Sequence, residues 1–126
     1  MYVVIIIGAG PAGLEASLTL SRFRRSHLVI SVPEMYRNRK ALKMHGFLTH
    51  DGMPPLEFMK QARAELNEYG FASFVDGRLM SATKVGKSFE VKLEDGIQYT
   101  GRKLIIATGS MDILPPIEGT PLVSPY

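Results

Sequence analysis

The sequence predicts an α/β fold, a Rossmann-like parallel βαβ core with an antiparallel β-meander inserted before the last parallel strand. Three observations carry this expectation. Tyr2–Ile7 is an unbroken run of β-branched and aromatic residues, as in a strand buried on both faces. The turn Gly8-Ala9-Gly10-Pro11-Ala12-Gly13 follows it directly and opens a segment of helical character. Later in the chain, short β-prone segments alternate with Asp-Gly and Gly-Lys turn signals.

Each element has its own local warrant. A helix is expected over Pro11–Phe23, with Leu14, Ala16, Leu18 and Leu20 turned to packing partners. Pro11 falls in its first turn, where a missing N–H loses nothing. His27–Ile30 is a second short apolar strand, so residues 2–31 form a βαβ unit, right-handed and parallel. Val32–Pro54 lacks periodicity and carries Arg37, Arg39, Lys40 and Lys43. A structureless stretch of that length in a compact domain is more often functional than idle. Pro55–Tyr69 reads as an amphipathic helix with Phe58, Met59, Ala62, Leu66 and Tyr69 on one face. Arg63, Glu65 and Glu68 are left to water, and Gly70 is the stop. Short strands are expected at Ala72–Val75, Arg78–Lys84, Phe89–Leu93 and Gln98–Gly101. Leu104–Ala107 is continuously apolar and returns to the parallel sheet before Thr108-Gly109. The domain is placed at residues 1–114, with a proline-rich tail at 115–126.

Composition narrows the function. With 126 residues, 45% hydrophobic and 21% charged, the chain suits one folded domain rather than a disordered segment. It has no Cys, which excludes a disulfide framework, a Cys-ligated metal and a cysteine nucleophile on this chain. No apolar run approaches the roughly 18 residues of a membrane span. A net charge of +3 is too small to indicate a nucleic-acid partner. Met1–Ile7 lacks the charged start and small-residue cleavage site of an export signal, so these residues read as mature structure and a cytoplasmic location is expected. His45 and His50 have no strong third ligand, so no metal site is expected, and neither a G-x-S-x-G elbow nor a Walker lysine occurs. Arg22, Arg24, Arg25 and His27 form a basic patch read as favourable charge at a helix C-terminus.

The glycine turn carries the chemistry. Gly8 permits the tight bend, Gly10 lets the backbone approach a pyrophosphate, and Gly13 lets the helix pack on the strand. The helix start offers free N–H groups and partial positive charge to a diphosphate. This context indicates dinucleotide binding; the alternative is a βα turn that has lost its ligand. The same fingerprint wants an acid at the end of the second strand for the ribose hydroxyls. Ser31 stands there instead, with Glu34 as a substitute if the loop folds back, and the change should weaken affinity.

Gly8-Ala9-Gly10-Pro11-Ala12-Gly13-Leu14-Glu15-Ala16 resembles the FAD-binding turn of thioredoxin-reductase-like flavoproteins, the class II pyridine nucleotide–disulfide oxidoreductases. Tyr36-Arg37-Asn38, Met44 to Gly52 and Gly101 to Gly109 match in the same order. The arginine–asparagine pair and the histidine–glycine loop look most like the branch of fungal gliotoxin-type dithiol oxidases. The resemblance implies FAD as cofactor, with Gly8, Gly10, Pro11, Ala12 and Gly13 at the pyrophosphate and Ser31 at the ribose position. It places Arg37 and Asn38 near the flavin side of the loop with His45 as a neighbour, and Thr108 and Gly109 where the chain leaves the flavin domain. In the family the chain continues into a nicotinamide-nucleotide domain bearing a C-x-x-C pair, then a Gly-Asp segment that closes over the flavin. None occurs here, so the expectation is an incomplete FAD-binding domain with no catalytic residue of its own. A homodimer or a partner chain is expected to cover the missing segment. The alternative is a shortened, non-catalytic relative acting as an interaction or regulatory module without flavin.

Overall fold

The computed structural model describes residues 1–33, 40–110 and 115–118. Its elements run in the order β1 (Tyr2–Ile7), α1 (Pro11–Arg22), β2 (His27–Ser31), α2 (Pro55–Tyr69), β3 (Ala72–Asp76), β4 (Leu79–Val85), β5 (Ser88–Leu93) and β6 (Gln98–Ile106). The strands form one mixed sheet ordered β3-β2-β1-β6-β5-β4. Its first four strands are parallel, and β6, β5 and β4 pair antiparallel as the expected meander.

Two details depart from the local reading. Ala72–Asp76 looks in sequence like the short strands that follow, yet it pairs in parallel with β2 because α2 carries the chain back across the sheet. The segments expected as separate strands at Gln98–Gly101 and Leu104–Ala107 are one strand, β6. It pairs antiparallel with β5 up to Gly101 and parallel with β1 from Gly101 on. The handover needs glycine: a Cβ at Gly101 would sit 2.8 Å from Ile5 Cγ1.

The sheet is rolled, and connectivity requires it. β3 and β4 are opposite edges, yet only Gly77-Arg78 joins them. Flat, those edges would lie roughly 24 Å apart, five spacings of about 4.8 Å. The three peptide units from Asp76 to Leu79 reach at most about 11 Å. Inside the roll, Ile5, Ile7, Leu28 and Ile30 of the parallel strands meet Val91 and Leu93 of β5 in a fully enclosed cluster. Leu93 packs against Gly77, and the Glu94 N–H donates to the Arg78 carbonyl at 3.0 Å. On the outer face Val4, Ile6 and Val29 pack with Ala16 and Leu20 of α1 and with Phe74. α1 in turn packs against α2.

His27 does not belong to a surface patch with Arg22, Arg24 and Arg25. It is fully buried, with Nδ1 2.8 Å from the Arg25 carbonyl and Nε2 2.6 Å from Ser17 Oγ. The carbonyl can only accept, so Nδ1 carries a proton toward it, while Nε2 and the serine hydroxyl share the second bond.

Candidate functional site

The carboxyl ends of β1, β2 and β3 and the end of β6 open on one side of the sheet. From β1 the chain moves outward through β2 to β3, and it returns to the other flank of β1 only with β6, so the strand order reverses beside β1, which is where α/β sheets bind ligands. The glycine turn is tied to both flanks. The Gly8 N–H donates to the Ile30 carbonyl at 2.8 Å, and the Ala107 N–H donates to the Ile7 carbonyl at 2.8 Å.

The three glycines meet different surroundings. Gly8 has φ +109°, and a Cβ there would collide with the Ala107 carbonyl. A Cβ on Gly13 would collide with the Gly8 carbonyl, so β1 and α1 approach as closely as backbones can. A Cβ on Gly10 would meet no atom within 4 Å, so its face is open. Gly10 is the N-cap of α1 and makes no side-chain cap bond; Pro11 begins the helix, and no acid lies in its first turn. The first-turn N–H groups therefore point outward without a carboxylate competing for them, as an anion-binding helix start requires.

Beside this turn lies a cleft of about 550 Å³. It is lined by Gly8, Ala9 and Thr108, by Ser31 to Pro33, by Asp76 to Leu79, and by Lys60 and Arg63 of α2. Of the residues expected at a cofactor, Gly8, Ser31 and Thr108 line this cleft. Gly10, Pro11, Ala12 and Gly13 form the adjoining first turn of α1, and Gly109 takes the left-handed conformation at φ +69° next to Thr108. His45 is exposed and is not brought to the cleft wall; its Nδ1 lies 3.4 Å from Asp51 Oδ1. Arg37 and Asn38, like Glu34, lie outside the described residues.

Arg63, expected to stay wet, turns inward. Its Nη2 donates to Ser31 Oγ at 3.4 Å and its guanidinium lies 4.7 Å from the centre of the Phe74 ring. A signal for this was present: Arg63 is four residues after Met59 and three before Leu66, on the stripe assigned to the core. Lys60, Asp76 and Arg78 also line the cleft, and in sequence Asp76 reads only as part of an Asp-Gly turn signal.

The loop before α2 is held by its own bonds. The Met44 N–H donates to the Met53 carbonyl at 2.8 Å, and Gly52 returns a bond to Met44 at 2.7 Å. Asp51 Oδ1 accepts the Gly46 N–H at 2.9 Å. That backbone bond, aided by His45, lowers the Asp51 carboxyl below its ordinary value of 3.8. Phe47, His50 and Phe58 stack edge-on or tilted within 5.8 Å of one another, fastening the loop to α2.

Fold and site together define a Rossmann-type α/β domain with a glycine-lined cradle at its topological switch point. The sequence profile described as pyridine nucleotide-disulphide oxidoreductase matches residues 2–124, and the chain belongs to that family. It is 39% identical to a thioredoxin reductase of Gibberella zeae over 128 residues, covering 91% of this chain and 37% of that protein. It is 33% identical to the thioredoxin reductase sirT of Leptosphaeria maculans, covering 94% of this chain and 37% of that protein. Among solved structures, an oxidoreductase from Agrobacterium tumefaciens superposes with a TM-score of 0.90 at 39% identity, over 96% of this chain and 41% of that one. The chain thus spans about a third of the length of the curated relatives it matches.

Proposed function

We propose that the chain is the FAD-binding portion of a thioredoxin-reductase-like flavoprotein oxidoreductase. The observation that carries this reading is the cradle: Gly8 and Gly13 are sterically compulsory, while Gly10 faces open space at an uncapped helix start. Residues 8–13 bind the pyrophosphate through backbone N–H groups, Ser31 lies at the adenosine ribose, and Thr108-Gly109 bounds the opposite wall. By resemblance, Arg37 and Asn38 lie toward the flavin, with His45 in the neighbouring loop. FAD, when bound, supplies the hydride and electron chemistry; the residues of this chain hold and orient it. Thiol–disulfide exchange needs a sulfur nucleophile, and with no Cys among these 126 residues any such step takes its sulfur from outside them. Ile106 at the end of β6 and Met80 and Val85 on the edge strand β4 are exposed. They fit association with a second copy or a partner chain.

The test is a titration of the purified chain with FAD, followed by flavin fluorescence and visible absorption. Stoichiometric binding is expected. Absence of binding at any practical concentration overturns the reading and leaves a non-catalytic interaction module, which the serine at the ribose position already favours. Light scattering tests association, and a monodisperse monomer at high concentration would count against it.

A further inference from the structure

We propose that Asp76 supplies the ribose-binding carboxylate that β2 lacks, so the acid of this site has moved one strand outward, onto β3. The inference rests on the dinucleotide reading of the cleft and identifies how the adenosine end is recognised. Ser31 and Asp76 are register partners in the parallel pair β2–β3, about 4.8 Å apart across the ladder. The Gly77 N–H donates to the Ser31 carbonyl at 2.9 Å and fixes the two strand ends level. Side chains two apart on a strand share a face. Phe74 lies under Arg63 on the α2 side, so Asp76 emerges on that side too. Val29 packs in the same outer cluster as Phe74, so Ser31 shares the face, and Arg63 reaches its hydroxyl there.

The chemistry separates the two residues. A serine hydroxyl cannot accept from both vicinal hydroxyls of a ribose in the way two carboxylate oxygens can. Asp76 lines the cleft and its carboxylate makes no hydrogen bond or ion pair among the described residues. Lys60, Arg63 and Arg78 share the cleft with it, yet Arg63 is engaged by Ser31 and Phe74, and Arg78 lies 3.7 Å from Glu94. An ionised acceptor is thus held at the level of the missing acid with its bonding capacity unused. It favours a ribose with free hydroxyls and repels one that carries a phosphate.

Calorimetric titration of the full chain with 5′-ADP, 2′-deoxy-5′-ADP and adenosine 2′,5′-bisphosphate tests this, with FAD titrated in parallel. The unaltered chain should bind 5′-ADP about tenfold tighter than the deoxy form, as for a hydrogen bond to a charged group. It should bind the bisphosphate more weakly than 5′-ADP. Asp76→Asn should bind both diphosphates within about twofold of each other, with an unchanged thermal midpoint because the residue is exposed. Discrimination that survives Asp76→Asn overturns the inference, as does tighter binding of the bisphosphate, which would show Lys60, Arg63 and Arg78 reading a phosphate. Either result beside normal FAD binding leaves the flavin reading intact. No binding of any nucleotide overturns both.

Discussion

Gly10 and Gly13 stand three residues apart in one turn, and the structure assigns them separable roles. Gly10 has an ordinary extended backbone, φ −74° and ψ −175°, and open space where a side chain would begin. Gly10→Ala should therefore leave unfolding free energy within about 0.5 kcal/mol of the parent. It should weaken FAD binding about tenfold or more, because the methyl occupies the pyrophosphate's approach. Gly13→Ala meets a backbone carbonyl that cannot step aside, and should destabilise the fold by about 2–3 kcal/mol. Urea unfolding and flavin titration of the two variants distinguish these effects. The buried pair is equally specific: Ser17→Ala leaves His27 Nε2 without its partner and should cost about 1–3 kcal/mol in the same unfolding measurement. The close approach at Gly13 was legible because the carbonyl it faces, that of Gly8, belongs to the same turn. The burial of His27 was not, since it depends on Ser17 ten residues away meeting the ring across the α1–β2 packing.

At the level of elements, local pattern and tertiary pairing contributed differently. β1, α1, α2 and the Gly70 stop follow from apolar runs, helical spacing and one left-handed residue at φ +77°. Which neighbour a short strand takes is not written in its own alternation, and β3 goes to β2 because of the helix before it. The continuity of β6 through Gly101 is likewise set by Ile5 on the adjacent strand. Arg63 was readable by its spacing but misread by its charge, because the Phe74 ring and the Ser31 hydroxyl that receive it come from strands on either side of α2 in sequence. The clasped loop before α2 gives a pH prediction. Its Asp51 carboxyl titrates below 3.8 in the folded chain, so the stabilising contribution is present above that value and is lost as pH falls through the lowered one. The Gly46 amide resonance, followed by NMR during acidification, should shift with a midpoint below 3.8. A midpoint at or above it contradicts the clasp.

For the molecule as a whole, the α/β class and the glycine turn that borders the cleft were visible in sequence, whereas the cleft itself and the roll of the sheet were not. The roll follows from the pairing order together with a two-residue connection, and pairing order is a property of the whole chain. The roll explains why a six-stranded sheet with both described helices tied to one face still encloses a core on the other. Gly77-Arg78 acts as the buckle of a belt. Asp76 borders it on the cleft side, and Leu93 and Glu94 of the distant hairpin close against it from the other. A nucleotide held by Asp76 should therefore tighten the buckle as well as fill the cleft. Saturation with FAD should slow amide hydrogen exchange not only around Gly8–Gly13 but also along β5, which lines no part of the cleft. Slowing confined to the cradle would mean that the belt carries no tension from one side of the molecule to the other.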